Sequence, residues 1–291
     1  MPVDTNRNSF AAGSLPPALS AEIIQKLQES SAIMRLARKI DLPGAGATIP
    51  VITSDPVAEW VAESENKPVS NPEITTKLMS AYTLAVIEPF SNQFLRDASG
   101  LYAELVKRLP AALGFRFDQT VIGAVQSPGS NFDQFTVSGT TCQQINAANT
   151  TTYAALVAAD TDIATHGGVL NGFAISPVGR GILLAAVDDV KRPIFINSVA
   201  EGAIPQILGA PTYTAKGVYD ATNHVVGIAG DWSQAIYGTV NDVQISVSDQ
   251  ATLTSGNTTI NLWQRNMFAV RAEIEVGFRA DVSCFNLLTN G

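Results

Sequence analysis

Residues 100–125 read GLYAELVKRLPAALGFRFDQTVIGAV, and the spacing of their apolar members sets the frame for the rest of the chain. Leu101, Leu105, Leu109, Leu113 and Phe117 recur every fourth residue, and Val121 continues the row. That interval lines them along one flank of an α-helix. Tyr102, Val106 and Ala112 widen the apolar stripe, while Lys107, Arg108, Arg116 and Asp118 mark the other faces. Ser99 has the hydroxyl to cap the start. An unbroken helix here would run about 25 residues, or roughly 37 Å at about 1.5 Å per residue. Pro110 lacks an N–H and its ring crowds the carbonyl of Val106, which favours a bend in one long helix. Two shorter helices meeting at Pro110 are the alternative.

Bulk properties narrow the class. The 291 residues suffice for one large domain or two modest ones. Charged residues are only 15% of the chain, against roughly 25% in an average soluble protein. So few charges suit a surface largely covered in an assembly, or a neutral polar exterior. The net charge of −8 argues against gripping nucleic acid, which calls for a basic patch. The one basic cluster, Arg35, Arg38 and Lys39, reads as a solvated face. Cys142 and Cys284 are far apart, which excludes a CxxC motif and reads as two free, buried thiols. The N-terminal residues show no basic region followed by an apolar core, so no signal peptide is expected, and no apolar stretch approaches the about 18 residues of a membrane span.

Outward from the helix, the N-terminal side starts with an Asn-, Ser- and Pro-rich arm, residues 1–17. A short helix follows Ser20, carrying Ile23, Ile24 and Leu27. Met34 to Leu42 alternates imperfectly and reads as a strand. Thr48 to Phe90 holds two strand-like runs, TIPVIT and ITTKLMSAYTLAVIE, around a turn-rich centre. The reading is a long β-hairpin with a wide tip. Such a two-stranded ribbon lacks a core and needs another surface, for which a neighbouring subunit is the natural supplier. The alternative sends these strands into the main sheet.

On the C-terminal side, Thr151 or Thr152 can cap a helix carrying Leu156, Val157 and Ile163 that stops at Gly167-Gly168. GVLNGFAIS is a short strand, and Ser176-Pro177 caps a helix carrying Val178, Ile182, Leu183, Ala186 and Val187. ILGAPTYTAKGV is a turn into a strand, and Met267 to Leu288 is strand-rich. No internal repeat stands out.

Chemistry-bearing patterns are sparse. Neither His166 nor His224 has a partner at metal-ligand spacing, and the nucleophile elbow and phosphate-loop patterns are absent. Asp231-Trp232-Ser233 is the most catalytic-looking cluster, but it reads first as a tight turn in which Asp231 or Ser233 bonds local N–H groups. In the hairpin tip, Trp60 stands between Glu59 and Glu63 with Lys67 beyond. A flexible ribbon is a poor platform for catalysis, whereas an aromatic anchor ringed by charges suits an interface. Trp60, Glu63, Lys67 and Tyr82 are the candidate inter-subunit contacts. No catalytic, metal or cofactor-binding residue is expected, and no cofactor.

In order and spacing these segments resemble the major capsid proteins of tailed double-stranded DNA bacteriophages, which have the Hong-Kong-ninety-seven-type fold. Ser31 to Leu42 with Ile49-Pro50-Val51 is similar to the approach to that fold's extended loop, and Trp60-Val61-Ala62-Glu63 resembles its Trp-x-x-Glu. Thr75 to Ile87 resembles the return arm and Asp97 to Val125 the spine helix. Leu208-Gly209-Ala210-Pro211 resembles the Leu-Gly-x-Pro turn. Ile228 to Ala235 resembles the Gly-Asp-aromatic-Ser segment, and Arg271 to Thr289 the closing strands.

The resemblance implies an α+β fold with a long spine helix, a long antiparallel sheet, an extended β-hairpin loop and an α/β axial domain. The implied segments are 1–45 (arm, short helix and first strand), 46–90 (loop), 91–149 with 240–291 (peripheral domain) and 150–239 (axial domain). The implied function is structural, not enzymatic: pentamers and hexamers forming an icosahedral shell around phage double-stranded DNA, in the virion capsid, assembled in the host bacterial cytoplasm. Implied partners are further copies of the chain, a portal and DNA held weakly and non-specifically, with no membrane. A separate scaffold protein is expected, because no large segment precedes Ser20. Lys67 and Lys77 lie in the loop, but no asparagine partner for a covalent cross-link is evident. An encapsulin-like shell enclosing cargo enzymes is the alternative within the fold. A glycan-acting enzyme or lectin using Asp231, Trp232 and the tip carboxylates Glu59 and Glu63 is the alternative outside it.

Overall fold

The spine helix takes shape from its own apolar row. In the computed structural model, which describes residues 31–44, 46–52, 58, 60, 61, 66, 67, 69, 74–93, 99–145, 151–187, 192, 194, 206–241, 243–255 and 258–290, one α-helix runs Ser99–Val121 without a break at Pro110. Leu109, Leu113, Phe117 and Val121 are all buried, as the four-residue spacing predicts. The helix includes Ser99 and ends at Val121, short of the expected Val125. The stop is local: Gly123 turns left-handed at φ 77, a conformation glycine adopts freely. The Gln134 amide donates to the Thr120 and Val125 carbonyls at 2.5 and 2.7 Å, and Thr120 O also accepts from Gly123 N–H at 3.2 Å, so carbonyls at the helix end are satisfied.

Before the spine lie helix α1 (Ala32–Leu36) and strand β1 (Arg38–Asp41). The expected strand from Met34 is therefore corrected: Met34 to Leu36 is helical. The Ser31 hydroxyl accepts from Met34 N–H at 3.0 Å and caps the turn. Strands β2 (Ala47–Ile52) and β3 (Ile74–Met79) pair antiparallel as a ribbon. Strand β4 (Tyr82–Ser91) does not continue that ribbon. It pairs over its whole length with the long strand Met267–Ala280. The hairpin reading of Thr48–Phe90 thus holds for its first half only, and the return arm divides at Ser80-Ala81. The reason is burial: Leu84 and Val86 pack on the core and Phe90 is buried, a set that a free ribbon could not cover.

Naming the spine α2, the remaining elements are β5 (Thr141–Gln144), α3 (Thr151–Thr165), β6 (Gly172–Ile175), α4 (Pro177–Ala185), β7 (Gln206–Ile207), β8 (Ala210–Thr214), β9 (Val225–Gly230), β10 (Ala235–Thr239), β11 (Gln244–Ser248), β12 (Thr252–Ser255), β13 (Thr258–Asn261), β14 (Met267–Ala280) and β15 (Phe285–Thr289). The first sheet centres on β14. One edge of it takes β4, and the other takes β10 and β11 end to end, with β1 parallel to β10. Along β14, Val270, Ala272, Ile274, Val276, Phe278 and Ala280 are buried, while Arg271 and Glu275 alternate to the exposed side. Phe278 meets Phe117 of the spine edge-on at 6.1 Å and Phe135 at 5.8 Å. Phe135 stacks on Phe285 at 4.6 Å, and Phe285 abuts Trp232 at 5.2 Å. This aromatic run links the spine to the second sheet.

The second sheet has the order β5-β15-β9-β6-β8-β7. Leu156 and Ile163 of α3 and Leu183 of α4 pack with Phe173, Ile175, Val226 and Ala229 of its strands, whereas Ala174, Ile228 and Leu287 belong to the core shared with the spine. Its helix boundaries follow the sequence signals. Gly168 N–H reaches Ile163 O at 3.0 Å and Gly167 N–H reaches Ala164 O at 3.1 Å, a Schellman stop at Gly167, φ 80. Ser176 accepts from Gly179 N–H at 3.0 Å and precedes the N1 proline. Leu208 and Gly209, at φ 50 and 80, make the two-residue turn joining β7 to β8. Strand β10, from the segment 150–239, pairs in the first sheet. Strands β5 and β15, from the flanking segments, pair in the second.

Besides the passage through the spine from β4 to β5, the chain passes between the sheets through two matching turns. Strand β9 leads into β10 by Asp231 and a 3-10 turn, Trp232–Gln234; β14 leads into β15 by Asp281 and a 3-10 turn, Val282–Cys284. Each Asp accepts from the N–H and hydroxyl of the serine two residues on. The two turns also bond each other: Asp231 N–H to Cys284 O at 3.1 Å, and Asp281 N–H to Gln234 O at 3.2 Å. This short Asp-x-Ser repetition is an internal repeat that reading along the sequence missed.

Candidate functional site: the assembly ribbon and its surroundings

Among the described residues the largest apolar side chain left wholly in water is Trp60, fully exposed beyond the paired part of the ribbon. Val69 is 89% exposed and Lys67 is also exposed. Glu59 and Glu63 lie outside the described residues. Trp60 and Lys67 are therefore both presented to solvent, as an interface anchor requires. Tyr82 has a different setting. It stands on β4, its ring meets Phe132 edge-on at 6.3 Å, and its hydroxyl accepts from Asn131 N–H at 3.3 Å. Its contacts here are within the chain, beside a shallow groove also lined by Leu84, Phe117, Val125 and Arg116. Lys77 is likewise turned inward, its ammonium donating to Ala280 O at 3.2 Å.

The Asp231 cluster is a structural junction. Asp231 Oδ1 accepts from Asn171 Nδ2 at 2.8 Å and from Ser233 N–H and Oγ–H at 3.0 and 2.6 Å, and Oδ2 accepts from Val169 N–H at 3.1 Å. Trp232 Nε1 donates to Gly172 O at 2.9 Å and its indole is buried. Four donors on one carboxylate lock the turn and the 169–171 loop together. Gly230 is required because a Cβ there would run into the Phe285 ring.

His166 is exposed, with Nδ1 2.8 Å from Asp162 O, and His224 sits in a turn at φ 56. Among the described residues no group of three His, Cys, Asp or Glu could hold a metal ion, and no helix is long and apolar enough to cross a membrane. Both cysteines are free. Cys284 is buried, but Cys142 is only half-buried, which corrects the expectation of two buried thiols. Burial pushes both thiols upward in pKa, away from reactive thiolates. Within the basic cluster, Arg35 is not simply solvated: its guanidinium lies 4.4 Å over the Tyr213 ring.

One charged residue escaped sequence reading. Asp118, grouped there with the polar faces of the spine, is fully buried. The Ser31 hydroxyl donates to its Oδ1 at 2.5 Å and Ala32 N–H to its Oδ2 at 3.1 Å. Burial pushes its carboxyl up to about 7, against the lowering pull of the Ser31, Ala32 and Ile33 hydrogen bonds. Gly217 packs against it, leaving no room for a Cβ. Helical spacing does hint at it: Asp118 is adjacent to Phe117 and four residues beyond buried Gly114.

Comparison with known proteins returns one family over most of the chain. The model of the phage capsid family matches residues 12–280. The probable major capsid protein gp17 of Mycobacterium phage D29 is 27% identical over 289 residues, which cover 96% of this chain and 90% of that protein. The major capsid protein of Staphylococcus phage 80alpha is 23% identical, over 94% of this chain and 84% of its own length. A solved chain of Gordonia phage Cozz superposes with a TM-score of 0.73 at 21% identity, covering 90% of this chain and 87% of that one.

Proposed function

The chain belongs to the phage capsid family, and from that premise we infer that it is a major capsid protein, the structural subunit of a phage shell. It is a structural protein and not an enzyme, and its place is the virion capsid. The observation that carries this is the family match across residues 12–280. The encapsulin-like alternative is not favoured, since the relatives are named as phage capsid proteins.

Capsid proteins assemble with copies of themselves. For this chain we propose pentamers and hexamers that close into an icosahedral shell around double-stranded DNA, with a portal and a separate scaffold protein as partners. Contacts that rotate and close into rings are what such a shell requires. The acidic balance, −8 overall, suits a wall that contains DNA without gripping it. We also propose a peripheral unit built on the spine and first sheet, and an axial unit built on the second sheet.

The ribbon is proposed to act between subunits, with Trp60 as its anchor, Lys67 and Glu63 beside it and Tyr82 near its base. Support comes from the exposure of Trp60 and Val69. Left in water, that apolar area invites non-specific association. Covered by a neighbour, each large apolar side chain contributes about 1.5–3 kcal/mol, partly offset by ordering. The test pairs negative-stain electron microscopy with a melt of the unassembled subunit. Trp60→Ala should leave the melt unchanged while closed shells are lost. Normal shells from a destabilised Trp60→Ala subunit would place Trp60 in an intrachain core and end this reading.

A further inference from the structure

Gly238 of β10 and Gly277 of β14 stand directly opposite each other. Opposed residues of an antiparallel pair project to the same face, so two missing side chains leave a shallow notch on the sheet face away from the spine. Met79, the last residue of the ribbon strand β3, fills it. A Cβ on Gly277 would lie 2.8 Å from Met79 Cγ, and one on Gly238 would lie 3.0 Å from Met79 Sδ and would also overlap Leu42. Met79 is fully buried, in a small cluster with Leu42 and Ile236 that is separate from the main core.

Arg279 lies two residues beyond Gly277 and so shares its face. Its Nε and Nη2 both donate to Leu78 O, at 2.8 and 2.6 Å. Nη1 donates to Asp133 Oδ1 at 2.7 Å, and Nη2 also to Asn131 Oδ1 at 3.1 Å. Asp133 Oδ2 accepts from Ala280 N–H at 3.1 Å and stands 3.8 Å from Lys77 Nζ. Asn131 Nδ2 donates to Ser80 Oγ at 3.0 Å. Four consecutive residues, Lys77, Leu78, Met79 and Ser80, are thus each held by the body of the subunit. Arg279 is only 12% exposed and Asp133 19%, so water screens this clamp far less than it would a surface pair.

We propose that this seat, the Gly238–Gly277 notch filled by Met79 and clamped by Arg279 and Asp133, is a positioning site that fixes the direction in which the ribbon leaves the subunit. A neighbouring copy would then meet Trp60 and Lys67 at one angle. The inference rests on the reading that the ribbon works between subunits, but it concerns the single subunit. Met79, Arg279 and Asp133 touch no neighbour in this scheme and act through the ribbon. The fold supplies the reason for a rigid seat: any tilt at Met79 is multiplied along the ribbon, and the contacts between copies must repeat with one geometry for a shell to close.

The experiment measures direction in the unassembled subunit. Nitroxides are placed at Lys67→Cys on the ribbon and Gln244→Cys on the exposed edge of β11, in a background of Cys142→Ala and Cys284→Ala. Pulsed electron paramagnetic resonance then reads their separation. The parent should show one narrow distance distribution. Arg279→Lys, which keeps the charge but loses the fork, should broaden it and shift its mean while the far-ultraviolet circular dichroism is retained. Lys77→Met, at a half-exposed edge of the clamp, should broaden it less and puts folding at least risk. On assembly both variants should give open or mixed-diameter particles. A narrow, unshifted distribution in both variants would reduce the seat to a contribution to stability and overturn the proposal, as would a broad distribution in the parent. Failure of the ribbon reading itself is seen separately, as normal shells from Trp60→Ala, because the distance measurement needs no assembly.

Discussion

Replacing Asp118 by Asn should change how stability depends on pH, and in an unusual direction. The Asp118 carboxyl is raised from the ordinary 3.8 to about 7 by burial. A raised acid binds its proton more tightly in the folded chain than in the unfolded one. Between those two values the folded state therefore holds a proton that the unfolded state has released, and stability falls as pH rises. Below 3.8 both states are protonated and the penalty is absent; above about 7 both are ionised and it is complete. At about 1.4 kcal/mol per pKa unit, the full swing is on the order of 4 kcal/mol.

In the variant the amide stays neutral. If its oxygen accepts from Ala32 N–H, its NH2 meets the Ser31 hydroxyl, which must turn its own proton away and lose the bond it donates to Asp118. That leaves a constant loss of about 1–3 kcal/mol, independent of pH. The assay is denaturant unfolding of the unassembled subunit, followed by fluorescence at steps from about pH 4 to about pH 8. The quantity of interest is the parent's stability minus the variant's, in which other titrating groups cancel. It should be largest at the acid end and decline toward neutrality. A flat difference, or one that rises with pH, would mean that the Ser31 and Ala32 hydrogen bonds outweigh desolvation and that Asp118 is held as a stabilised anion.

Three further substitutions separate the roles assigned above. Asp231→Asn should lower stability by about 1–3 kcal/mol, because one carboxylate oxygen becomes a donor facing other donors, and pure protein should show no reaction that disappears with it. Asp281→Asn, in the matching turn but with its carboxylate bonded, among the described residues, only to Ser283, should lose less; equal losses would show that the 169–171 bonds add nothing. Phe278→Ala removes the ring that Phe117, Phe132 and Phe135 share and should cost about 3–5 kcal/mol in a thermal or denaturant melt. A loss near that of an exposed site would mean the aromatic run is loosely packed.

The spine was legible because its signal is local. A residue every fourth position reports a helix face whatever that face meets, and Leu109, Leu113, Phe117 and Val121 are buried accordingly. The cap at Ser176-Pro177 and the stop at Gly167-Gly168 were legible for the same reason: the groups they satisfy lie within a few residues. Trp60 and Lys67 could be placed on an exposed ribbon from the turn residues around them. The error at Met34–Leu36 was also local, since a five-residue helix carries too little periodicity to outvote a partial alternation, while Arg38–Asp41 is a strand as expected.

Partner choice was not legible. The alternation from Leu78 to Ile87 is continuous in sequence, so nothing in it marked that β3 would stay in the ribbon while β4 crossed to β14. That division follows from the core under β4 and from the notch that receives Met79, whose two glycines come from strands far apart in the chain. Asp118 and Ser31 are separated by 87 positions, and the twin Asp-x-Ser turns gain their meaning only from bonding each other. By itself the sequence determined the apolar row of the spine and the starts and stops marked by Ser176-Pro177 and Gly167-Gly168, because those follow from backbone geometry and nearest neighbours. Which faces meet was decided only in the tertiary structure. Many partners share a periodicity, and it takes the fit of particular side chains, Met79 over two glycines or Asp118 beneath Ser31, to make one pairing more stable than the rest.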